Sequence, residues 1–410
     1  MAKPPRALII GGSLGGLATA CLLRRDGWHV DIFERVAEPL SGRGAGIVTH
    51  PQLLAVLAQC GANVDAGIGV QVHARITLDA AGREIGRLAM PQLLTSWGSL
   101  YSILKRQFPD EFYHSDASLT RVENLAGAVR AHFANGEQSE GDLLVGADGI
   151  RSTVRAQFLP AAVPQYAGYV AWRGLIEETA LSAATHRALF DKFVFCLPPG
   201  EQMLGYPVAG AGNSTRPGER RYNWVWYRPA AEQSVLADLL TDEAGRRHDV
   251  SIAPPLIRRD IVARMRAEAD ALLAPQVAEM VHLTPQPFFQ PIYDVESPQL
   301  AFDRVALTGD AAFVARPHVG MGVTKAACDA VAMADALRDA DDVAQALRRY
   351  EEERVRAGAA IIVRARHLGA YMQAQLKTAD ERAMAERYRT PEAVMRETAT
   401  PENMWNAIPA

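Results

Sequence analysis

Arg6-Ala-Leu-Ile-Ile-Gly-Gly-Ser-Leu-Gly-Gly-Leu17, near the start of this 410-residue chain, is the stretch from which the fold is read. The apolar run 7–10 predicts a strand buried on both faces, as in parallel sheets. Glycines interrupt it, and residues 17–23 resume with helical spacing until Arg24, Arg25 and Gly27 stop the helix. The turn between has the pattern G-x-S-x-x-G on Gly11, Ser13 and Gly16. Glycine comes first for the tight bend, a small residue second so that backbone can approach a pyrophosphate, and glycine third for helix–strand packing. Ser13, Leu14 and Gly15 then open a helix whose positive end receives the anion. A second strand, 28–33, leads to Glu34 and Arg35, about twenty residues past Gly11, where a dinucleotide fold presents a carboxylate to ribose hydroxyls. A glycine-rich loop without a ligand is the other reading. Strand, turn, helix, strand and acid standing in register argue against it and for a Rossmann-like dinucleotide site in an α/β fold.

The remainder of the chain is consistent with that start. Hydrophobic residues make up 49% and charged residues 22%, an ordinary balance for one very large domain or two to three smaller ones with an ample core. A formal net charge of −4 gives no basis for a nucleic-acid or acidic-membrane partner. Cys21, Cys60, Cys196 and Cys328 have no paired spacing, so neither a disulfide frame nor a metal site is expected, and a cytoplasmic location fits. The basic residues before the first apolar run imitate a signal peptide, but the glycines in dinucleotide-binding register read as mature structure. No other apolar run is long enough to span a bilayer.

Taken in order, Ser41-Gly-Arg-Gly-Ala-Gly46 brings Arg43 among three glycines, a pattern of backbone close to a ligand. A helix is expected from Gln52, and residues 71–90 read as a hairpin around a glycine turn. Residues 99–108 read as a helix, and 129–133 with 142–145 as a second hairpin leading into Gly146-Ala-Asp-Gly149. Strands follow at 169–176, 193–197, 203–208 and 222–227, then helix over 231–283 and a proline-marked return. Val305-Ala-Leu-Thr-Gly-Asp310 reads as a buried strand running into Arg316-Pro-His-Val-Gly-Met-Gly322 and a helix from about Thr324, with a long helical region over 343–389. The expected organisation is a Rossmann-like domain over 1–70, 99–165 and 286–342, an inserted mostly antiparallel sheet domain over 71–98 and 166–285, and a C-terminal helical region over 343–410.

Three glycine-rich elements in this order, together with Tyr166-Ala-Gly-Tyr-Val-Ala-Trp-Arg-Gly174, resemble the single-component, FAD-dependent aromatic hydroxylases of the p-hydroxybenzoate hydroxylase fold. Within that family the likeness is strongest to members that hydroxylate dihydroxypyridines. The resemblance implies FAD along the first domain, with Asp148 associated with FAD and NAD(P)H and Asp310 on the ribityl chain. It also implies that Pro317, Gly320, Met321, Gly322 and Val323 open a helix toward the flavin ring, where negative charge builds on reduction. The implied reaction reduces FAD with NAD(P)H, activates O2 as a flavin C4a-hydroperoxide and hydroxylates a small aromatic or N-heteroaromatic ring, a hydroxypyridine before a phenol. A homodimer is the implied assembly. Departures from the family pattern are Phe313, Thr324 and Trp97, where relatives carry polar residues.

His50, Tyr206 and His318 are the candidates for deprotonating a ring hydroxyl, each weighed against a structural histidine or a core tyrosine. Arg173 reads first as a brace of its sheet and second as a pin for an anionic substrate. Two rivals share the fold. A flavin halogenase would carry W-x-W-x-I-P and an early lysine, whereas this chain has Trp224-Val-Trp-Tyr-Arg-Pro229 and no lysine between Lys3 and Lys105. A reductase or oxidase would act on a larger substrate without oxygen insertion.

Overall fold

The computed structural model describes residues 4–40, 46–64, 66–338 and 340–400. The opening strand Arg6–Ile10 is central to a six-stranded sheet, flanked by parallel His29–Phe33 and Leu143–Gly146. Val305–Leu307 continues the sheet in parallel, Ala301–Phe302 adds an antiparallel edge, and Tyr113–His114 closes the other side. Helix Leu14–Arg25 packs against helix Gly322–Arg338, so the two glycine-rich turns from opposite ends of the chain begin neighbouring helices. Gly15 faces the second helix, where a Cβ would stand 3.3 Å from the Ala326 Cβ, and Gly16 fits the first helix onto its own strand, where a Cβ would stand 1.9 Å from the Gly11 carbonyl oxygen.

A nine-stranded mixed sheet forms the second layer. Its middle is antiparallel: Phe288–Glu296, Gln165–Glu177, Arg221–Pro229, Gln202–Val208 and Lys192–Cys196. Val70–Leu78 joins in parallel, then Glu84–Ser96 and Gly46–Val48. The period of two divides its strands cleanly. Val170, Trp172, Tyr222, Trp224, Trp226 and Met203 face one core with helices Arg259–Leu272 and Pro275–Leu283. Tyr169, Ala171, Leu204, Tyr206, Val225 and Tyr227 face the other way.

Several expectations are corrected. Strand Ala128–Phe133 pairs with Gln138–Gly141 in a separate three-stranded sheet, because the turn at Asn135 and Gly136 closes tightly; Leu143–Gly146 instead enters the six-stranded sheet. Phe288–Glu296, expected within the return to the first domain, is a full strand of the large sheet, paired with Gln165–Glu177. Gly46–Val48 and Phe313–Val314 belong to the large sheet as well. Residues 241–253 are not helical, Gly245 having φ +76° there and Pro254 and Pro255 following. The long C-terminal helix ends at Gly369, with helices Ala379–Tyr388 and Pro391–Glu397 beyond it. Among the described residues no helix is long and apolar enough to cross a membrane.

Candidate active site

The end of the Arg6–Ile10 strand opens onto a cavity of about 350 Å³ bordered by Gly11, Ser13, Glu34, Arg35 and Asp148. Gly11, at φ +108°, turns the chain so that its backbone lies against Ala147, where a Cβ would be 2.4 Å from the carbonyl oxygen. Ser13 is the N-cap of helix Leu14–Arg25, yet its hydroxyl makes no capping bond and the first turn holds no acidic residue. The helix end therefore presents N–H groups and positive potential to the cavity. Glu34 is buried, its Oε2 accepting from the Gly12 N–H at 2.9 Å and its Oε1 from the Val36 N–H at 3.0 Å. Each oxygen keeps a lone pair for a further donor. Asp148 Oδ2 accepts from Thr153 N at 2.7 Å, starting helix Thr153–Phe158. Asp148 Oδ1 is buried without a hydrogen-bond partner among the described residues, and burial raises the carboxyl pKa against the Ser152 hydroxyl and backbone N–H groups.

A second cavity of about 450 Å³ shares Ser13, Trp97, Ala147 and Gly149 with the first, so the two form one path. Leu14, Gly15, Asp310, Pro317, Gly320, Gly322 and Val323 line its inner side. Its roof is the face of the large sheet that carries Arg173, Phe193, Leu204, Tyr206, Val225 and Tyr227. Trp97 sits at the junction, stacked on Tyr101 with ring centroids 5.2 Å apart. Asp310 lines the cavity and is exposed to it; the surrounding protein raises its pKa by desolvation, only partly offset by Lys325. Its carboxylate has no hydrogen-bond partner among the described residues and is available to a hydroxyl donor.

The turn carrying Asp310 is held by a buried charge network that sequence reasoning missed. Asp329 Oδ2 accepts from Gly309 N at 3.0 Å, Lys325 Nζ donates to the Gly309 carbonyl at 2.7 Å, and Arg354 Nε donates to Asp329 Oδ1 at 2.8 Å. Burial opposes charge on Asp329, yet Lys325 and Arg354 hold its carboxyl below the usual range. The spacing of Lys325 and Asp329, four apart on one helix, was the available signal.

The three candidate bases separate. Tyr206 lines the cavity, its ring 4.8 Å from Phe193 and its hydroxyl kept protonated by burial. Gly46 lets the neighbouring strand pass beneath it: a Cβ there would meet the Tyr206 ring at 2.4 Å. His50 does not line the cavity. It precedes helix Pro51–Gln59 and its Nδ1 lies 2.8 Å from Thr324 Oγ1, tying that helix to the first turn of Gly322–Arg338. His318 is also withdrawn, packed behind Tyr227 at 4.2 Å with Nε2 bonded to the Tyr169 hydroxyl at 2.8 Å. Burial, then Arg316 and Arg173, push its pKa down to about 3. Proline-flanked loops aim side chains by tertiary packing, which no local pattern records. Met321 likewise turns into a core with Val319, Ile361 and Ala365, so only its backbone belongs to the turn. Arg43 lies outside the described residues.

The chamber is completed from the far end of the chain. Thr398 and Ala399 line it, and the Ala399 N–H donates to the His318 carbonyl at 2.7 Å. Fully buried Arg75 holds this segment through the carbonyls of Met395 at 2.7 Å and Thr398 at 2.6 Å. The tryptophans of the halogenase-like motif lie on the opposite face: Trp224 Nε1 donates to Thr284 Oγ1 and Trp226 Nε1 to Glu201 Oε2, both rings fully buried. They are core, not site.

Comparison with known proteins shows the same fold elsewhere. A profile described as an NAD(P)-binding Rossmann-like domain matches residues 9–75, and one described as FAD binding domain-like matches residues 166–294. The chain is 31% identical over 369 residues to 2,6-dihydroxypyridine 3-monooxygenase of Paenarthrobacter nicotinovorans, covering 90% of this chain and 91% of that one. It is 29% identical to an FAD-dependent urate hydroxylase of Klebsiella oxytoca, covering 88% of each chain. The solved structure of 2,6-dihydroxypyridine-3-hydroxylase from Arthrobacter nicotinovorans superposes with a TM-score of 0.85 at 29% identity, covering 92% of this chain and 96% of that one.

Proposed function

The chain belongs to the FAD-dependent monooxygenases of the 2,6-dihydroxypyridine 3-hydroxylase type, and on that premise we propose that it hydroxylates a small hydroxylated N-heteroaromatic ring with O2 and NAD(P)H. The observation that carries the reading is the single path from Glu34, past the N-terminus of helix Leu14–Arg25, to a chamber roofed by an aromatic sheet face. Its first part suits an adenosine and a pyrophosphate, and its second suits a flavin ring with a small ring above it.

FAD, when bound, supplies hydride acceptance and oxygen activation. The protein's share is binding, orientation and exclusion of water. In this reading Glu34 takes the adenosine ribose, the N–H groups from Ser13 to Gly15 take the pyrophosphate, and Asp310 takes a ribityl hydroxyl. Gly320 and Gly322 bring the N-terminal end of helix Gly322–Arg338 to the flavin ring without side chains in the way. Tyr206, its hydroxyl protonated and at the roof, donates a hydrogen bond to a ring oxygen of the substrate and fixes the ring's orientation. Phe193, Leu204 and Val225 keep water from the reacting face.

The test is anaerobic mixing of the yellow protein with NADH or NADPH and a panel of hydroxypyridines, hydroxybenzoates and purine-type rings. Acceleration of flavin bleaching by a hydroxypyridine, followed in air by a product carrying one added oxygen atom, is the expected result. Bleaching indifferent to every ring, or oxygen uptake that ends only in hydrogen peroxide, would sink the reading.

A further inference from the structure

The fully buried arginines of this protein, Arg75, Arg155, Arg316 and Arg354, each have partners among the described residues, whereas half-buried Arg173 does not. Arg316 pairs with Asp294 at 2.9 Å, Arg354 with Asp329 at 2.8 Å, and Arg155 donates to the carbonyls of Ala162 and Ala311 at 2.9 Å each. Arg75 reaches two carbonyls and Gln92. Arg173 stands apart. Among the described residues it has no ion pair and no hydrogen bond, and its Nε is buried without a partner. Among the described residues it gives its sheet no polar brace.

Its position follows from strand parity. Arg173 lies opposite Val225, which lies opposite Leu204, so the three form a row across the sheet on the chamber face. Among the described residues Arg173 is the one cationic side chain lining the chamber, and Asp310, at the flavin end, is the one anionic one. The polar groups nearest to Arg173 are no counterions. Burial keeps the Tyr206 and Tyr227 hydroxyls protonated, and His318 behind them is neutral with Arg316 adding to the local positive field. A half-buried guanidinium facing the chamber with no protein counterion among the described residues is left to water or to a ligand, and an anionic ligand is the partner that would pair with it.

We propose that Arg173 is the anion anchor of this chamber, so that the substrate binds as an aromatic anion whose ionised ring hydroxyl pairs with the guanidinium. The proposal rests on the hydroxylase reading above and specifies the charge state of the substrate. The hydroxyl proton leaves to solvent on binding. The resulting oxyanion feeds electron density into the ring, the condition that favours attack by an electrophilic oxygen.

The test uses the FAD-loaded enzyme with 2,6-dihydroxypyridine, 2,6-dimethoxypyridine and pyridine-2-carboxylate, in wild type, R173Q and R173K. Binding is read from the flavin absorbance change, and ligand ionisation from its own ultraviolet spectrum across pH. On wild type, bound 2,6-dihydroxypyridine should ionise at lower pH than it does free in solution. R173Q should weaken its binding by about 30–100-fold, the worth of a charge-assisted hydrogen bond in a dry site, and abolish that displacement. R173K should recover part of both, and the dimethoxy compound should bind weakly to all three. Unchanged ionisation on wild type overturns the proposal even if R173Q fails to fold. So does binding by R173Q within about threefold of wild type, or tight binding of the dimethoxy compound. Stronger Arg173-dependent binding of pyridine-2-carboxylate overturns the assignment to a ring hydroxyl. Undiminished hydroxylation by R173Q would remove the anchor and leave the hydroxylase reading intact, whereas a wild-type flavin unresponsive to every ring would remove both.

Discussion

Truncating Asp329 to alanine withdraws the carboxylate that Lys325 and Arg354 share, leaving Lys325 without its ion pair and Arg354 with Glu353 at 3.3 Å. Lys325 is 1% and Arg354 5% exposed, so water relieves neither. Breaking a buried charge group by removing one partner costs about 3–5 kcal/mol. Lys325→Met is milder, because the Asp329–Arg354 pair at 2.8 Å survives, and what is lost is the bond to the Gly309 carbonyl and the longer 3.4 Å ion pair with Asp329. Its cost should be about 1–3 kcal/mol. At roughly 2 °C or less per kcal/mol for a chain of this size, thermal unfolding of the flavin-free protein should rank wild type, K325M, then D329A. The same network holds the turn that presents Asp310, so D329A should also weaken FAD binding by about tenfold, measured by quenching of flavin fluorescence. The pH dependence has a definite sign. Asp329 has its pKa depressed in the fold, so its contribution is present above the unfolded value of about 3.9 and is lost as pH falls through the lower folded value. A D329A protein no less stable than K325M, or with unaltered FAD affinity, would refute this account of the turn.

Three further outcomes follow from the same geometry. Gly16→Ala pushes a methyl to 1.9 Å from the Gly11 carbonyl oxygen, so it should cost about 1–3 kcal/mol and strip FAD from the purified protein; full flavin content would contradict it. His318 stays neutral in the fold down to about pH 3 but protonates near pH 6.5 when unfolded, so the unfolded state binds the extra proton between those values. Wild-type stability should therefore decline on acidification by about 1 kcal/mol per pH unit from this group, and urea titrations of His318→Asn should show a shallower fall. Tyr206→Phe should keep its FAD and slow hydroxylation by about 10–100-fold, and an unchanged turnover number would remove the hydroxyl from the mechanism.

The elements legible from sequence are those whose chemistry is local. Gly11, Ser13, Gly16 and Glu34 sit in one strand–turn–helix–strand unit, where backbone geometry alone dictates which residues fit, and the convergence of Gly11, Ser13 and Glu34 on one cavity was readable from them. Strand parity likewise carried real information. Within Arg221–Pro229 the alternation separates Trp224 and Trp226 from Val225 and Tyr227, and the same alternation aims Arg173 and Tyr206 at one face.

What parity cannot state is which face roofs the second cavity, because that depends on how a nine-stranded sheet docks on a Rossmann-like layer far away in sequence. Only the tertiary structure withdrew His50 and His318 from the chamber, behind Thr324 and Tyr227. Only it brought Thr398 and Ala399 into the wall, by way of an Arg75 whose partners lie over three hundred residues ahead. The amino-acid order thus determined the strand, the turn and the uncapped helix end, since each is satisfied by hydrogen bonds and sterics within a few residues. The chamber was decided by long-range packing, because a cavity is the space left between elements and belongs to no segment of the chain.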